Sequence, residues 1–397
     1  MSKTTIQYNG WQEVKLGDVV KSNQRSIDKY YSHKVIQYLD TGSVTEGRIE
    51  SFQVFNLSKA PSRAKRLVKH TDIVYSTVRP IQRHYGFIKN PEENLVVSTG
   101  FSVIETDTTK AIPKFIYLLL TSKDVVEEFD TIAEGATSAY PSLRPSDIEN
   151  LQILLPPLPE QKAIAEVLSS LDDKIDLLHR QNKTLEDMSQ ALFRKWFVEE
   201  AKEDWEEKPL DKIANYLNGL ACQKFPAKNE IEKLPVLKIK ELNGGISDNS
   251  DWVTSEVNEK YLVELGDVIF SWSGSLVLKI WDGPNCVLNQ HLFKVTSEDY
   301  PKWFYYFWTK FYLEKFIGIA DSKATTMGHI KRGDLSSSMV LIPTNENLKA
   351  MSKTMTPKMD KIVSNLKQIR TLENLRDTLL PKLMSGEVRV KDLIIQL

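Results

Sequence analysis

The chain has 397 residues, enough for two or three domains at roughly 150 residues each, and its 41% hydrophobic content supports ordinary folded cores. No run approaches the ~20 apolar residues that span a bilayer. Residues 1–10 are polar and lack a signal-peptide core, so we expect a cytoplasmic protein. Cys222 and Cys286 have no zinc spacing and should be buried thiols, with a disulfide between them as the alternative. Basic and acidic residues nearly cancel, 52 against 53, which excludes the strong basic excess typical of a protein that binds nucleic acid alone.

The sequence contains the same module twice, with its matching segments in the same order. An ordered series of matches predicts an internal repeat, here of a globular part followed by a long helix. The matching segments are 11–16 with 205–210, 70–76 with 265–271, 112–117 with 300–305, 136–138 with 324–326, and 156–195 with 343–382.

The globular parts have short β-like runs at residues 72–78, 95–103 and 267–272, separated by turns rich in Gly, Asn and Ser. Residues 115–120 and 303–311 have a helical pattern. These features predict two mixed α/β domains.

Three segments of the first module have side chains that suit DNA contacts. Residues 58–70 contain five basic residues and no acidic one, residues 79–85 should form a loop after a strand, and residues 135–144 are rich in hydroxyls. Arginine can pair with guanine and glutamine with adenine. The alternative is that these are solvated surface loops. The candidate DNA-binding residues are Arg63, Lys65, Arg66, Arg79, Gln82, Arg83, Thr137, Ser138, Tyr140 and Arg144.

The second module has equivalent segments at residues 271–275 and 323–332. Hydroxyl and basic groups in loops suit phosphate and base-edge contacts, although a solvated surface remains the alternative here too. The candidates in this module are Ser271, Trp272, Ser273, Ser275, Lys323, Thr325, Thr326, His329, Lys331 and Arg332.

A long helix should begin near Pro159 and continue for about 38 residues, or ~57 Å. Its apolar residues recur at steps of three and four, which is a heptad pattern with Asn182 at an a position. The predicted seam residues are Leu168, Leu171, Ile175, Leu178, Asn182, Leu185 and Leu192.

The second helix shows the same pattern. We expect its continuous part to begin at Pro357 with Thr356 as N-cap, to end or kink at Pro381, and to have Gly386 as a C-terminal cap. Each seam alone could be an ordinary core stripe, but two seams at matching places in a repeat favour packing against each other. The predicted seam residues are Ile362, Leu366, Ile369, Leu372 and Leu379.

The sequence shows no pattern typical of catalysis. It has no phosphate-binding GxxxxGK[ST] loop, no GxGxxG turn, no GxSxG elbow and no HExxH. Glu-x-Lys triplets at Glu13 and Glu206 are expected by chance in a chain this rich in both residues. We therefore predict no metal site and no reaction centre.

Residues 155–165, LPPLPEQKAIA, and 171–175, LDDKI, resemble the central conserved region of the specificity subunits of Type I restriction–modification enzymes. Residues 379–388, LLPKLMSGEV, resemble the C-terminal conserved region of that family. The similarity extends over nearly the whole chain. Residues 344–348, TNENL, depart from the usual Pro-x-x-Glu-Gln pattern at the start of the second helix.

The resemblance implies an α+β fold with two target recognition domains separated by two long antiparallel coiled-coil-like helices, related by a pseudo-two-fold internal repeat. The implied domains are 1–155, the first target recognition domain; 156–203, the central conserved helix; 204–342, the second target recognition domain; and 343–397, the C-terminal conserved helix and tail.

The resemblance also implies a function without catalysis by this chain. The subunit would read a bipartite double-stranded DNA site and position two methyltransferase subunits and restriction subunits. It would bind no cofactor itself, because S-adenosylmethionine would lie on the methyltransferase partner. Two alternatives remain: an unrecognised DNA nuclease or methyltransferase, and a coiled-coil interaction protein without a DNA role.

Overall fold

A computed structural model describes residues 10–135, 141–247, 249–322 and 328–394. The chain divides into two compact units: unit 1 comprises Met1–Asp172 and Leu375–Leu397, and unit 2 comprises Asp173–Asn374. This division passes through both long helices, so the domain boundaries taken from the sequence stay a prediction.

In its described residues, unit 1 contains twelve strands, four short helices and part of each of the two long helices. Short 3-10 turns lie at Leu16–Asp18, Thr41–Ser43, Leu57–Lys59 and Pro80–Gln82. The strands are β1 (Gln12–Lys15), β2 (Val20–Ser22), β3 (Val35–Leu39), β4 (Val44–Thr45), β5 (Arg48–Ile49), β6 (Gln53–Asn56), β7 (Ala64–Leu67), β8 (Ile73–Ser76), β9 (Tyr85–Phe87), β10 (Leu95–Ser98), β11 (Phe101–Thr106) and β12 (Gln152–Leu155); the helices are α1 (Pro113–Leu120), α2 (Lys123–Glu134), α3 (Pro145–Glu149) and the long α4 (Leu158–Arg194).

The strands of unit 1 form two four-stranded sheets and two small ribbons. One sheet has the order β2-β11-β8-β9 and is antiparallel throughout. The other has the order β6-β3-β10-β7, in which β3 and β10 are parallel. β1 pairs with β12, and β4 with β5. Apolar side chains of β8, β11, α1 and α2 form the main core, which Leu383 and Val390 also enter.

Unit 2 repeats this arrangement. Its 3-10 turns lie at Cys222–Lys224 and Glu259–Tyr261. Its strands are β13 (Glu206–Pro209), β14 (Asn215–Asn218), β15 (Lys233–Leu237), β16 (Trp252–Thr254), β17 (Leu262–Val263), β18 (Val268–Ser271), β19 (Leu278–Ile280), β20 (Cys286–Leu288), β21 (Leu292–Thr296) and β22 (Met339–Ile342); its helices are α5 (Leu210–Ile213), α6 (Ile239–Gly244), α7 (Lys302–Ser322), α8 (Arg332–Ser336) and the long α9 (Asn345–Met384), and α10 (Val390–Ile394) follows in unit 1.

The sheets of unit 2 have the orders β14-β21-β18-β19 and β16-β15-β20-β17. Each matches a sheet of unit 1 strand for strand, including the single parallel pair, here β15 with β20. The ribbon of β13 with β22 matches that of β1 with β12. The predicted internal repeat and fold class are therefore confirmed.

The first long helix agrees with its prediction. α4 has 37 residues, with Pro159 in its first turn, and a π-helical turn at Lys195–Glu199 follows it. In unit 1, Leu168 is buried. In unit 2, Phe193 and Phe197 pack on the aromatic helix α7, with ring centroids 5.0 Å apart for Phe193 and Trp308. The sequence pattern did not single out this aromatic contact.

The second long helix begins earlier than predicted. α9 starts at Asn345 and passes through Pro357 and Pro381 without interruption. Thr344 caps it, since the Asn347 backbone N–H donates to the Thr344 hydroxyl at 3.3 Å. Pro357 is exposed while Met355 and Met359 beside it are buried, so we infer that burial of the apolar face outweighs the loss of one helical hydrogen bond.

The expectation that Thr356 caps the helix is therefore wrong, and the helix does not end at Pro381, because α9 is helical at both positions. The helix ends three residues beyond Pro381, where the Ser385 N–H donates to the Pro381 carbonyl at 3.0 Å. Gly386 follows with φ at +72°, which fits the predicted C-terminal cap.

The two long helices contact each other within each unit. In unit 2, the Asn365 amide donates to Asn182 Oδ1 at 2.8 Å, and Asn182 reaches the Ile362 carbonyl at 3.5 Å. In unit 1, Arg376 forms an ion pair with Asp172 at 3.3 Å. Residue numbers rise along one helix as they fall along the other, so the pair is antiparallel. Asn365 is fully buried, and Asn182 thus has a polar partner on the seam.

The predicted seam residues are all partly or fully buried. Those below a tenth exposed are Leu168, Ile175, Leu178, Ile362, Leu366 and Ile369. Those of intermediate exposure are Leu171, Asn182, Leu185, Leu192, Leu372 and Leu379.

Candidate nucleic-acid interface

In unit 1, the loop between β8 and β9 lies against the segment that precedes α3. The Leu143 N–H donates to the Thr77 carbonyl at 2.7 Å, and the Arg79 N–H donates to the Pro141 carbonyl at 3.2 Å. Val78 and Ser142 form an antiparallel bridge between these bonds. We call residues 77–84 with 141–143 the first loop pair. It joins two segments that the sequence singled out separately.

The first loop pair holds two arginines in an uncommon backbone conformation. Arg79 and Arg83 have φ at +47° and +56° and flank the turn Pro80–Gln82. Left-handed backbone at a residue with a side chain costs of order 1–3 kcal/mol and is concentrated at binding sites. Arg79 and Gln82 are exposed. Arg83 forms an ion pair with Glu46, its NH1 2.9 Å from Oε1.

The basic segment 58–70 is only partly a loop. Residues 64–67 form the edge strand β7, so the expectation of a loop is wrong there; the segment 25–27 covers that edge, with the Ile27 N–H donating to the Lys65 carbonyl at 2.8 Å. Burial lowers the pKa of Arg66, whereas Lys65 is exposed. Arg63 is exposed too, and its carbonyl accepts from the Thr99 N–H at 2.8 Å.

Residues 98–100, the turn between β10 and β11, connect this basic segment to the first loop pair. The Thr77 N–H donates to the Gly100 carbonyl at 2.9 Å, one residue beyond the contact of Thr99 with Arg63. Arg63 therefore lies beside the loop pair, whereas Lys65 and Arg66 lie further along β7 in the neighbouring sheet.

Unit 2 has the same arrangement between the β18–β19 loop and the segment that precedes α8. The Ile330 N–H donates to the Trp272 carbonyl at 3.0 Å, and the Gly274 N–H donates to the Gly328 carbonyl at 2.8 Å. Ser273 and His329 form the bridge between them. We call residues 272–277 with 328–330 the second loop pair. Its bonds repeat those of the first loop pair position for position.

The predicted serines of the second module differ in burial and in hydrogen bonding. Ser271 is fully buried, and its hydroxyl donates to the Ser275 carbonyl at 2.6 Å, so it holds the loop together. Ser273 is also buried, with its hydroxyl 3.1 Å from His291 Nδ1. Ser275 is exposed.

Trp272 is half-buried at the centre of the second loop pair. Its indole N–H donates to Asn218 Oδ1 at 3.0 Å and to the Gln290 carbonyl at 3.2 Å. Its ring packs on His291 at a centroid distance of 5.8 Å and lies edge-on to His329 at 6.4 Å. These contacts fix the ring within the protein.

Arg144 and Lys331 occupy equivalent places before α3 and α8. Each backbone N–H donates at 2.7 Å to the aspartate three residues on, while the side chains are exposed. Arg332 is bonded within unit 2, since its NH2 donates to the Tyr216 carbonyl at 3.1 Å. The predicted residues that lie outside the described part of the chain are Thr137, Ser138, Tyr140, Lys323, Thr325 and Thr326.

Comparison with known proteins identifies the family of the chain that has this duplicated surface. A model of the Type I restriction modification DNA specificity domain matches residues 8–187 and 202–374. The chain belongs to this family. DNA recognition is therefore its function, and neither the catalytic nor the coiled-coil alternative is favoured.

Related specificity subunits extend along most of the chain. The HindI specificity subunit of Haemophilus influenzae is 24% identical over 461 aligned positions, which cover 95% of this chain and 99% of that protein. The MjaIX specificity subunit of Methanocaldococcus jannaschii is 28% identical and covers 78% of this chain and 76% of its own length. The crystal structure of an S subunit from M. genitalium has a TM-score of 0.55 at 15% identity, covering 96% of this chain and 98% of that one, which supports the same fold.

Sequence reasoning missed the turn between β20 and β21 of this specificity subunit. Asn289, Gln290 and His291 lie beside Trp272 at the second loop pair. The signal was available, since an amide–amide–imidazole run between two β-like runs is a turn with side chains that can bond base edges.

The described residues hold no group of three or more His, Cys, Asp or Glu that could bind a metal. Both cysteines are buried free thiols, as predicted, and burial raises the pKa of each. In the part of the chain that the structure describes, no helix is long and apolar enough to cross a membrane.

Proposed function

We propose that the chain reads a bipartite double-stranded DNA site within a Type I restriction–modification complex, with each loop pair contacting one half of the site. The observation that supports this is the repeat of one backbone arrangement with different side chains. The first loop pair has Arg79, Gln82 and Arg83; the second has Trp272 and His329. One surface built twice from different side chains fits two different half-sites.

The partners we propose are two methyltransferase subunits, which would hold S-adenosylmethionine, and restriction subunits. We propose that this chain binds no cofactor, has no reaction centre and acts in the cytoplasm. The formal net charge of −1 supports a partner that supplies much of the attraction to phosphate. Purified chain should bind DNA weakly at physiological salt and leave it unchanged in the presence of magnesium and S-adenosylmethionine. Tight, selective binding by the chain alone would contradict this.

A domain exchange tests the bipartite proposal. Residues 204–342 are replaced by the matching part of a related specificity subunit, and the complex is assembled with its methyltransferase subunits. We expect methylation sequencing to show one new half-site and one unchanged half-site. Changes in both halves would contradict independent reading, and an unchanged site would contradict a role for unit 2 in recognition.

A further inference from the structure

The turns beside the two loop pairs make equivalent hydrogen bonds through their backbones but have different side chains. In unit 1, the Gly100 N–H donates to the Ser98 hydroxyl at 3.1 Å, and the Gly100 carbonyl accepts from Thr77. In unit 2, the His291 N–H donates to Asn289 Oδ1 at 3.2 Å, and the His291 carbonyl accepts from Trp272 at 3.4 Å. Residues 98–100 thus correspond to 289–291.

The polar side chains that could reach a base lie at different places in the two units. In unit 1 they lie on the loop, and in unit 2 they lie on the turn. Unit 1 has arginines and glutamine on the loop, and Thr99 and Gly100 on the turn. Unit 2 has Gly274 where unit 1 has Arg79, and it has Gln290 and His291 on the turn. Unit 2 therefore has an amide and an imidazole at the place where unit 1 has a threonine and a glycine.

The unit 2 turn is rigidly held. The Gln290 N–H donates to the Leu220 carbonyl at 2.8 Å, and the buried Asn289 donates its backbone N–H to the Leu237 carbonyl at 3.2 Å. Ser273 holds His291 Nδ1 at 3.1 Å. The other ring nitrogen, Nε2, lies 3.5 Å from the Gln290 amide. Both side chains are partly buried, and a side chain fixed before binding loses less entropy when it contacts a ligand.

We propose that Gln290 and His291 read base edges in the half-site of unit 2, with the Gln290 amide paired to an adenine and His291 Nε2 bonded to the neighbouring base. The proposal rests on the proposed function. An amide offers the donor and acceptor that match adenine N6 and N7 in the major groove. Trp272 and Ser273 are positioning residues, because their bonds hold the turn and the imidazole rather than a base.

The test uses Gln290→Glu and Gln290→Ala in the full chain, assembled with its methyltransferase subunits and given a DNA library randomised at both half-sites. A carboxylate only accepts hydrogen bonds and matches cytosine N4 rather than adenine. We expect Gln290→Glu to change one adenine position of one half-site towards cytosine. Gln290→Ala should lower discrimination there roughly 5- to 150-fold, which corresponds to the ~1–3 kcal/mol of a bidentate base contact.

Gln82→Ala is the matched control, because it truncates a glutamine of the first loop pair and should leave the unit 2 half-site intact. A unit 2 half-site unchanged in both Gln290 variants would overturn the inference. Equal loss of methylation on every sequence would also overturn it, since a contact with one base pair cannot act on all sequences alike. If the wild-type complex methylates no split site, the proposed function itself fails, and that outcome is visible before any variant is examined.

Discussion

The two loop pairs of this specificity subunit have one backbone design and different means of contact. The first presents exposed Arg79 and Gln82 from a loop with left-handed backbone at two arginines. The second buries Ser273, holds Trp272 by two hydrogen bonds and has Gln290 and His291 on the neighbouring turn. The comparison shows that the same main-chain hydrogen bonds form both surfaces, while the positions of the exposed polar side chains differ between the copies.

The largest effect is expected from Gly219→Ala. A Cβ at Gly219 would lie 2.3 Å from the Asn289 carbonyl oxygen and 2.4 Å from that of Leu288, both main-chain atoms. The turn that holds Gln290 must then shift, at a cost of ~1–3 kcal/mol or more. We expect a lower Tm and loss of discrimination at the unit 2 half-site, with the other half-site retained.

Gly318→Ala is its control, because an added Cβ there meets no atom within 4 Å and lies in helix α7. It should leave both half-sites intact and keep or raise the Tm. Equal behaviour of the two alanine variants in thermal unfolding and methylation sequencing would show that the close approach at Gly219 is unimportant.

Arg79→Gly separates backbone strain from DNA contact in the first loop pair. Glycine adopts φ near +47° freely, so we expect stability equal to the wild type or slightly higher. Loss of the guanidinium should lower discrimination at the unit 1 half-site roughly 5- to 150-fold, the value of ~1–3 kcal/mol for a base contact. Methylation of a randomised library measures this directly.

Asn90→Gly is the matched control, since Asn90 is also exposed with φ at +44° but lies outside the loop pair. Its site specificity should be that of the wild type. If Arg79→Gly retained full discrimination, Arg79 would make no contribution to recognition of the unit 1 half-site.

The asparagine pair of the long helices should affect the stability of unit 2, in which both residues lie. Asn182→Leu removes the acceptor that lies 2.8 Å from the amide of the fully buried Asn365 and leaves the longer contact with Gln181 Oε1 at 3.4 Å. Leaving a buried polar group without its partner costs ~1–3 kcal/mol, whereas removing both partners is close to neutral. We expect the Asn182→Leu/Asn365→Leu double variant to regain the Tm that the single variant loses.

Thermal unfolding of the wild type, both single variants and the double variant closes the cycle, and additive losses would contradict the coupling.

The smallest effect is expected at Glu160, which belongs to unit 1 alone. Burial raises its pKa, but hydrogen bonds from Arg389 and Trp11 outweigh burial and leave the pKa below its ordinary value of 4.5. A lowered pKa gives stability that is present above about pH 4.5 and is lost as the pH falls through the folded value. Asn347 stands at the equivalent place in unit 2.

We therefore expect Glu160→Gln to weaken the acid dependence of thermal unfolding below about pH 4.5 and to cost about 1 kcal/mol or less at pH 7. Glu166→Gln is the control, because Glu166 is exposed and 3.8 Å from Lys162. Identical pH profiles for wild type and Glu160→Gln would show that the Glu160 contacts with Arg389 and Trp11 do not stabilise unit 1.

The sequence alone determined the repeat, the two mixed α/β parts and the extent of the first long helix, because these depend on the order and spacing of residues. The complete fold class, with its antiparallel helix pair, was implied by the resemblance to the specificity subunits. The sequence also located the segments of both loop pairs, since strand ends and turn residues are local signals. The sequence did not predict the start of α9 correctly. The helix propensity of proline is a local property, whereas burial of Met355 and Met359 is a tertiary effect.

Only the tertiary structure decided which side chains face outward. Ser271 and Ser273 lie in a segment whose composition suits DNA contact, yet both are buried. Ser271 bonds the Ser275 carbonyl within the turn, and Ser273 bonds His291, which is more distant in sequence. The sequence did not single out Gln290 and His291, because their place beside the second loop pair depends on contacts with Trp272 and Leu220, which are distant in sequence and adjacent in space. Periodicity and propensity reflect residues that are close in sequence. Whether a side chain is exposed or buried depends on residues that are distant in sequence and close in space.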